Sequence, residues 1–254
     1  MQFKEPVVIL LAETMVNRRG VQELRSELGA PDWATDAASC GEELVEVAGR
    51  LCYKSFAPGL NPNVTKVRGG NREYVQNILK SKHGSVLEHA TVTFAFLNVS
   101  RVFTHEIVRH RAGTAFSQES LRYVRLTNLS AFLPHEFDEE DRQMMADVFN
   151  AAEDVQNELA RKYRLDDTKN FGLKKRLTSA FRRLVPIGLS TNIIVTANHR
   201  AWRHIIEQRA NAYAEEEIER VMRKVAKVLK VNFPALYQDM EFGEREVRFD
   251  NSKV

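Results

Sequence analysis

The sequence predicts an α+β fold, in which a central, mostly antiparallel sheet packs with long helices in a single domain of residues 1–254. Short apolar or alternating runs predict strands at residues 7–11, 91–96 and 193–196. Apolar residues at helical spacing predict long helices at residues 145–159 and 201–229. With 43% hydrophobic residues, a chain of 254 residues can bury a substantial core.

The remaining elements follow from the same patterns. They are a helix around residues 44–51, a loop at 58–62, a helix after the Gly69-Gly70 turn, a helix that begins near Ser100 and carries His110, irregular chain after it, and a helix at 177–185 that ends near Pro186. The residues from 241 to 254 are polar and are expected to form a tail or an edge segment.

Charge and composition exclude several classes of protein. Lys and Arg total 37 against 34 acids, and a net charge of +3 is too small for a protein that coats a polyanion. Cys40 and Cys52 are too few for a disulfide framework. No apolar stretch reaches the length of a membrane span, and the first residues do not resemble a signal peptide. We therefore expect a cytoplasmic protein that binds neither membranes nor nucleic acid.

The densest chemical signal is the run from Arg109 to Tyr123. It contains three arginines, one imidazole and three aliphatic hydroxyls, and its only acid is Glu119. Because the positive charge is not neutralised locally, the run predicts an anion-binding segment. Guanidinium groups bind phosphate and carboxylate oxygens in pairs, which makes a nucleotide the first ligand to consider.

A further guanidinium falls on the apolar stripe of the helix predicted at residues 201–229. Arg209 follows Trp202 by seven residues and Ile205 by four, so it shares their face. Two explanations stay open, an internal salt bridge to a core carboxylate or a contact with a bound ligand. At the helix start, Asn198 is expected to be the N-cap, and Arg200 indicates an anion because a base there is otherwise unfavourable.

Several motifs now resemble one known family, the flavin-dependent thymidylate synthases. Arg109-His110-Arg111 is followed after eight residues by Ser120-Leu121-Arg122, which resembles the family signature Arg-His-Arg, gap, Ser-x-Arg. The segments 82–89, 48–53 and 197–209 resemble its flanking elements, so the resemblance spans roughly residues 42–222 in the right order. It implies the fold of the thymidylate synthase-complementing proteins and a homotetramer whose active sites are shared between subunits.

The resemblance also implies which residues form the site. The residues expected to bind FAD are Cys52, His83, Ser85, Arg109, His110, Arg111, Gln118, Asn198, Arg200 and His204. The residues expected to surround the pyrimidine nucleotide are Glu106, Arg109, Gln118, Ser120, Leu121, Arg122, Arg182 and Arg209. Arg209 is expected to be catalytic, because a cation beside the uracil base favours its ionisation.

The implied reaction is the reductive C5 methylation of dUMP to dTMP. Methylenetetrahydrofolate would donate the carbon, NADPH would supply the reducing equivalents and FAD would carry the hydride. The resemblance implies no protein nucleophile. Cys52 is expected to be a small buried residue at a helix end, and Ser120 is expected to contact phosphate or base.

Four departures from the family pattern surround the nucleotide. Glu106 replaces a usual Gln and can pair with Arg109, Cys52 replaces Ser, and His204 stands where Asn is common. The stretch 112–119 is one residue longer than in many members. A methylase that acts on UMP, or on both UMP and dUMP, as in nucleoside-antibiotic pathways, therefore stays open, because pocket shape rejects an added hydroxyl by only about a hundredfold.

Two other functions to consider are RNA binding and metal binding. An RNA-binding module would line a phosphate path with Arg101, Arg109, Arg111, Arg122 and Arg125, but the low net charge and the absence of an RNA-binding signature argue against it. The histidines show no paired ligand spacing with carboxylates, so the sequence predicts no metal site.

Overall fold

The computed structural model describes residues 1–64, 66–123, 127–252 and 254. The helices are α1 (Arg18–Glu27), α2 (Cys40–Tyr53), α3 (Asn71–Lys80), α4 (Arg101–Ile107), α5 (Glu139–Lys162), α6 (Phe171–Phe181), α7 (His199–Arg209) and α8 (Glu216–Asn232). Short 3-10 helices occupy Gly84–Glu88 and Arg182–Leu184. The strands are β1 (Gln2–Phe3), β2 (Val7–Glu13), β3 (Thr91–Ser100), β4 (Thr114–Gln118), β5 (Ser130–Ala131), β6 (Ser190–Asn198), β7 (Met240–Phe242) and β8 (Val247–Phe249).

The main sheet has the strand order β2-β3-β6-β4 and is antiparallel. At one end of the β6–β4 pair the Glu119 N–H donates to the Asn192 carbonyl at 2.9 Å, and at the other the Asn198 N–H donates to the Gly113 carbonyl at 3.1 Å. Residue numbers therefore fall along one strand as they rise along the other. Mixed helices with an antiparallel sheet are compatible with the predicted α+β class.

Most predicted elements are present, and several are longer than expected. The predicted strands lie within β2, β3 and β6, and the helix predicted at 145–159 lies within α5. The helix predicted at 177–185 begins earlier, at Phe171, and continues after Phe181 only as 3-10 helix. The segment after residue 241 was expected to be a tail or an edge segment; its first part instead forms the β7–β8 hairpin, a separate two-stranded sheet.

The expectation of irregular chain after α4 was wrong in part. The helix ends at Ile107, so His110 lies outside it, and residues Thr114–Gln118 form β4. This strand is short and polar, and it lacks the alternation of apolar residues from which a strand is predicted. Its place in the sheet comes from pairing with β6 and not from its own residues.

The single helix predicted at 201–229 was also wrong, because α7 ends at Arg209 and α8 begins at Glu216. The Ala210 carbonyl accepts from the N–H of Val247 at 2.7 Å, and the Glu215 side chain accepts from the N–H groups at the start of α8. Tyr213, predicted on the apolar stripe, lies in the intervening turn and is 100% exposed.

The chain divides into two compact units. The first contains residues 1–9, 95–109 and 116–195, and the second contains residues 10–94, 110–115 and 196–254. In the part of the chain that the structure describes, no helix has the length and apolar character needed to cross a membrane.

The first unit has a core built on α5. Buried Leu129, Ala131, Phe149 and Leu189 pack together, with partly buried Leu121 against them. Strands β1 and β5 pair in parallel beside this cluster. A capping box at Asp138 starts α5, because the Asp138 side chain accepts from the Asp141 N–H while the Asp141 side chain accepts from the Asp138 N–H.

The second unit is centred on α7 and α8. Trp202 is fully buried, donates from its indole nitrogen to the Val92 carbonyl at 3.1 Å and packs edge-on against Phe94. The inward faces of the two helices carry the rest of this core, with Ile205, Ile206, Ile218, Val221, Met222 and Val225 all nearly or fully buried. Fully burying a side chain of this size contributes about 1.5–3 kcal/mol.

His199, the first residue of α7, lies completely inside this core. Its Nδ1 lies 3.0 Å from the Tyr237 hydroxyl, and its ring packs edge-on against Phe233. Burial, and to a smaller extent the nearby Arg203 guanidinium, lowers the pKa of His199 to about 3. The imidazole is therefore neutral in the folded protein at physiological pH.

This burial predicts a loss of stability in mild acid. Because the pKa of His199 in the folded state, about 3, lies below its usual 6.5, the unfolded chain binds more protons between these values. The contribution is fully present above pH 6.5 and is lost as the pH falls through that window. We expect the free energy of unfolding of the wild type to fall by about 2 kcal/mol more than that of His199→Gln between about pH 7 and about pH 5.

Denaturant titrations at the two pH values measure the free energy of unfolding, and its change with pH is the slope to be compared between wild type and variant. The matched control is His105→Gln, at an exposed position on α4, which we expect to keep the slope of the wild type. A His199→Gln protein with an unchanged slope would show that His199 is not held neutral.

Candidate functional site

The middle of the Arg-His-Arg run meets the end of α7 in the second unit. The Nε of Arg209 donates to the Nε2 of His110 at 3.0 Å, although the two residues are 99 positions apart. An imidazole nitrogen accepts only when it carries no proton, so this geometry requires a neutral ring protonated on Nδ1. The ring also packs edge-on with His204 at 5.7 Å between centroids. Arg209 therefore has a partner, the His110 imidazole, that neither of the two explanations left open for it had included.

The loop from His110 to Ala115 is fixed to the start of α7 through Gly113 and Asn198. The Gly113 carbonyl accepts from the Asn198 N–H at 3.1 Å, while the Asn198 Oδ1 caps α7 by accepting from the Ala201 N–H at 2.8 Å. Gly113 has φ +68, and a Cβ built there would lie 2.3 Å from the Asn198 Nδ2. Both the backbone conformation and the close approach require glycine.

The other expected flavin contacts of the second unit lie on exposed or half-buried positions. Ser85, Arg111 and His204 are exposed, and His83 lies 3.1 Å from the Tyr53 hydroxyl. Donors of this kind suit a ligand that carries phosphate groups. Cys52 is an exposed thiol, which corrects the expectation that it is buried.

Arg200 is held by two oxygen acceptors in the second unit. Its Nη1 donates to the Glu88 carboxylate at 2.5 Å, and its Nε donates to the Val254 carbonyl at 3.3 Å. A Cβ built at Gly84 would lie within 3.0 Å of Arg200 and closer still to Val254. The anion expected at Arg200 therefore has a protein carboxylate as a competitor.

The first unit contains the expected nucleotide residues other than Arg209. Gln118 donates to the Thr104 hydroxyl at 3.1 Å, and the Ser120 hydroxyl accepts from the Arg122 N–H at 3.3 Å. Arg122 and Arg182 are exposed, as is Arg109, whereas Glu106 is half-buried and Leu121 packs against the core cluster of this unit. Arg109 and Gln118, expected to touch both ligands, belong to this unit as well.

Three residues of the first unit, Phe171, Lys175 and Asn192, were not predicted to lie near the site. The Tyr123 ring stacks on Phe171 at 6.3 Å, and the Lys175 ammonium lies 4.9 Å from the Tyr123 ring centroid. The hydrogen bond with Lys175 lowers the pKa of Tyr123. The third residue, Asn192, contacts Glu119. None of these pairings has a sequence signal, because the partners are far apart along the chain.

The arginines of the RNA-binding hypothesis do not form one exposed row. Arg101 is half-buried and donates to the Glu119 carbonyl at 3.1 Å, while Arg125 lies outside the described residues. Among residues 1–64, 66–123, 127–252 and 254, no group of three or more His, Cys, Asp or Glu side chains could hold a metal ion.

Comparison with known proteins places these residues in a family. The sequence pattern of the family described as thymidylate synthase complementing protein matches residues 35–235. The chain belongs to this family. Flavin-dependent thymidylate synthases from Mycobacterium tuberculosis and Mycobacterium marinum are each 37% identical over 238 residues, which cover 91% of this chain and 92% of theirs. The flavin-dependent thymidylate synthase from Mycolicibacterium gilvum is 36% identical over 228 residues, 85% of this chain and 87% of its own.

We expect the loop to depend on glycine at position 113. Gly113→Ala should lower the free energy of unfolding by the cost of a positive φ, about 1–2 kcal/mol, plus the cost of pushing the Asn198 side chain aside. Gly59→Ala is the matched control, because Gly59 has φ +86 and nothing within 4 Å of its built Cβ.

Denaturant unfolding of both variants separates the two costs. The prediction requires Gly113→Ala to cost at least about 1 kcal/mol more than Gly59→Ala. The ¹⁵N shift of the His110 Nε2 should also move in Gly113→Ala only. Equal costs and an unchanged shift would mean that the contact with Asn198 does not hold the loop.

Proposed function

We propose that the protein is a flavin-dependent thymidylate synthase that methylates dUMP to dTMP, with methylenetetrahydrofolate as carbon donor and NADPH as reductant. The observation that carries the proposal is the hydrogen bond between His110 and Arg209. It brings the amino-terminal signature and the carboxyl-terminal half of the family pattern into direct contact. Relatives that carry this activity in their names align with 91% of the chain.

The second unit would hold FAD with its exposed donors. The guanidinium of Arg111 and the hydroxyl of Ser85 suit phosphate oxygens, and His83 and His204 offer aromatic faces and ring nitrogens. Cys52, His110, Asn198 and Arg200 complete the part of the expected set that lies in the second unit, while Arg109 and Gln118 belong to the first. Asn198 acts chiefly by capping α7, since its Oδ1 is already used. Bound flavin supplies hydride transfer, which no amino-acid side chain provides.

The first unit would hold the nucleotide phosphate. Arg122 and Arg182 are exposed guanidiniums, and the Ser120 hydroxyl keeps its proton for donation because it accepts from the Arg122 N–H. We therefore assign Ser120 to binding and not to nucleophilic attack. Arg209 would act on the uracil base, where a positive charge stabilises the electron density that builds up at C5.

We further propose a single-domain protein with the thymidylate synthase-complementing fold that acts in the cytoplasm as a homotetramer with shared active sites. Exposed apolar side chains in the main sheet support the assembly. Val7 and Ile9 on β2 are each 42% exposed and Ile194 on β6 is 40% exposed, a pattern that a neighbouring subunit would cover.

Removing the Arg209 charge should separate chemistry from flavin binding. We expect Arg209→Gln to lower dTMP formation at least about a hundredfold, the usual cost of losing one electrostatic donor at a reacting group. Flavin absorbance per protein should stay near that of the wild type. Arg245→Gln, at an exposed arginine, is the control and should keep full activity. A colourless wild type that cannot be reconstituted with FAD would contradict the proposed function.

The sugar preference can be measured directly. We expect kcat/KM for dUMP to exceed that for UMP, with dTMP and ribothymidine monophosphate as the products followed. The ratio should not exceed about a hundredfold unless a protein group contacts the 2′ position. A higher kcat/KM on UMP would contradict this expectation and support the alternative, a UMP methylase.

A further inference from the structure

Glu119, the only acid of the basic run, is bound to its surroundings through both backbone and side chain. Its N–H donates to the Asn192 carbonyl at 2.9 Å, and its Oε2 accepts from the Asn192 Nδ2 at 3.1 Å. Its own carbonyl accepts from the Arg101 Nη2 at 3.1 Å. The residues on either side, Gln118 and Ser120, are both expected to touch the nucleotide. Glu119 therefore holds the segment that carries them.

The Asn192 amide group is itself fixed at both ends. Its Oδ1 accepts from the Asn98 N–H at 3.1 Å, while its Nδ2 donates to Glu119. Asn98 has φ +57, an unusual conformation within a strand that asparagine tolerates better than most residues. The positive-φ position of β3 is thus connected through Asn192 of β6 to Glu119, just after β4. An amide with both ends in use has little freedom to turn.

Arg101 completes the arrangement from the start of α4. Burial lowers the pKa of Arg101, the Glu119 charge opposes that effect, and repulsion from Arg182 adds to it. Its Nε is buried and has no hydrogen-bond partner in the described part of the chain. Glu119 thus offers Arg101 its carbonyl oxygen while its carboxylate binds the Asn192 amide.

We propose that Arg101, Glu119 and Asn192 form a clamp that positions Gln118 and Ser120 to bind the nucleotide. This inference rests on the proposed function and deepens it by naming positioning residues for the nucleotide side of the site. The clamp residues act through their neighbours and take no part in bond making. Loss of the clamp therefore weakens nucleotide binding and leaves the chemical step nearly unchanged.

Reversing the polarity of one hydrogen bond tests the clamp. Asn192→Asp sets two carboxylates against each other, and we expect it to raise the KM for dUMP about tenfold while kcat changes by less than about twofold. The double variant Asn192→Asp with Glu119→Gln restores an amide-to-carboxylate bond, and its KM should return to within about threefold of the wild type. The KM values for NADPH and methylenetetrahydrofolate should stay constant. Asn157→Asp, at an exposed position on α5, is the matched control.

The clamp is overturned if Asn192→Asp keeps the KM of the wild type, if the double variant shows no recovery, or if all three KM values rise together. Should Asn192→Asp fail to fold, Arg101→Gln tests the clamp in its place. It too should raise the KM for dUMP and leave the KM values for NADPH and methylenetetrahydrofolate unchanged. If the wild type forms no dTMP, the proposed function fails. The clamp is then decided by the dissociation constants of the wild type and variants for uridine nucleotides.

Discussion

The second unit is organised around the close packing of Gly113 against Asn198, which joins a loop to the start of a helix. One asparagine satisfies two needs there, since its N–H binds the loop and its side chain caps α7. The same loop carries His110, which accepts a hydrogen bond from Arg209 at the other end of α7. A Cβ at position 113 would separate the partners. The site thus depends on the absence of a side chain as much as on the charged groups around it.

The fold was predictable where the apolar pattern is strong. Strands β3 and β6 bury apolar residues in near alternation, and their pattern is local. The break between α7 and α8 was not predictable, because Ala210 to Glu215 contains no glycine or proline and continues the helical spacing. The break depends on Val247, which binds the Ala210 carbonyl from a hairpin that is remote in sequence. Such tertiary competition for a carbonyl leaves no mark in the segment itself.

The residue types of the candidate site were predictable from the sequence, but their hydrogen-bond partners were less so. A run of cations with one acid indicates an anion, and the resemblance to a family attached roles to individual side chains. Nothing in the sequence indicated that Glu119 would bind Asn192, 73 positions away, or that Arg209 would donate to the His110 imidazole. The Glu119–Asn192 pair depends on the register of β4 against β6, which periodicity specifies only loosely.

The division into units has a spectroscopic consequence. Both tryptophans, Trp33 and Trp202, belong to the second unit. Trp202 is buried against Phe94, and Trp33 packs edge-on against Phe56. The emission of each tryptophan therefore changes when the second unit unfolds around it. Tryptophan emission therefore reports on the second unit alone, whereas far-ultraviolet circular dichroism also registers the long α5 of the first unit. Comparing the two signals separates stepwise from cooperative unfolding without any label.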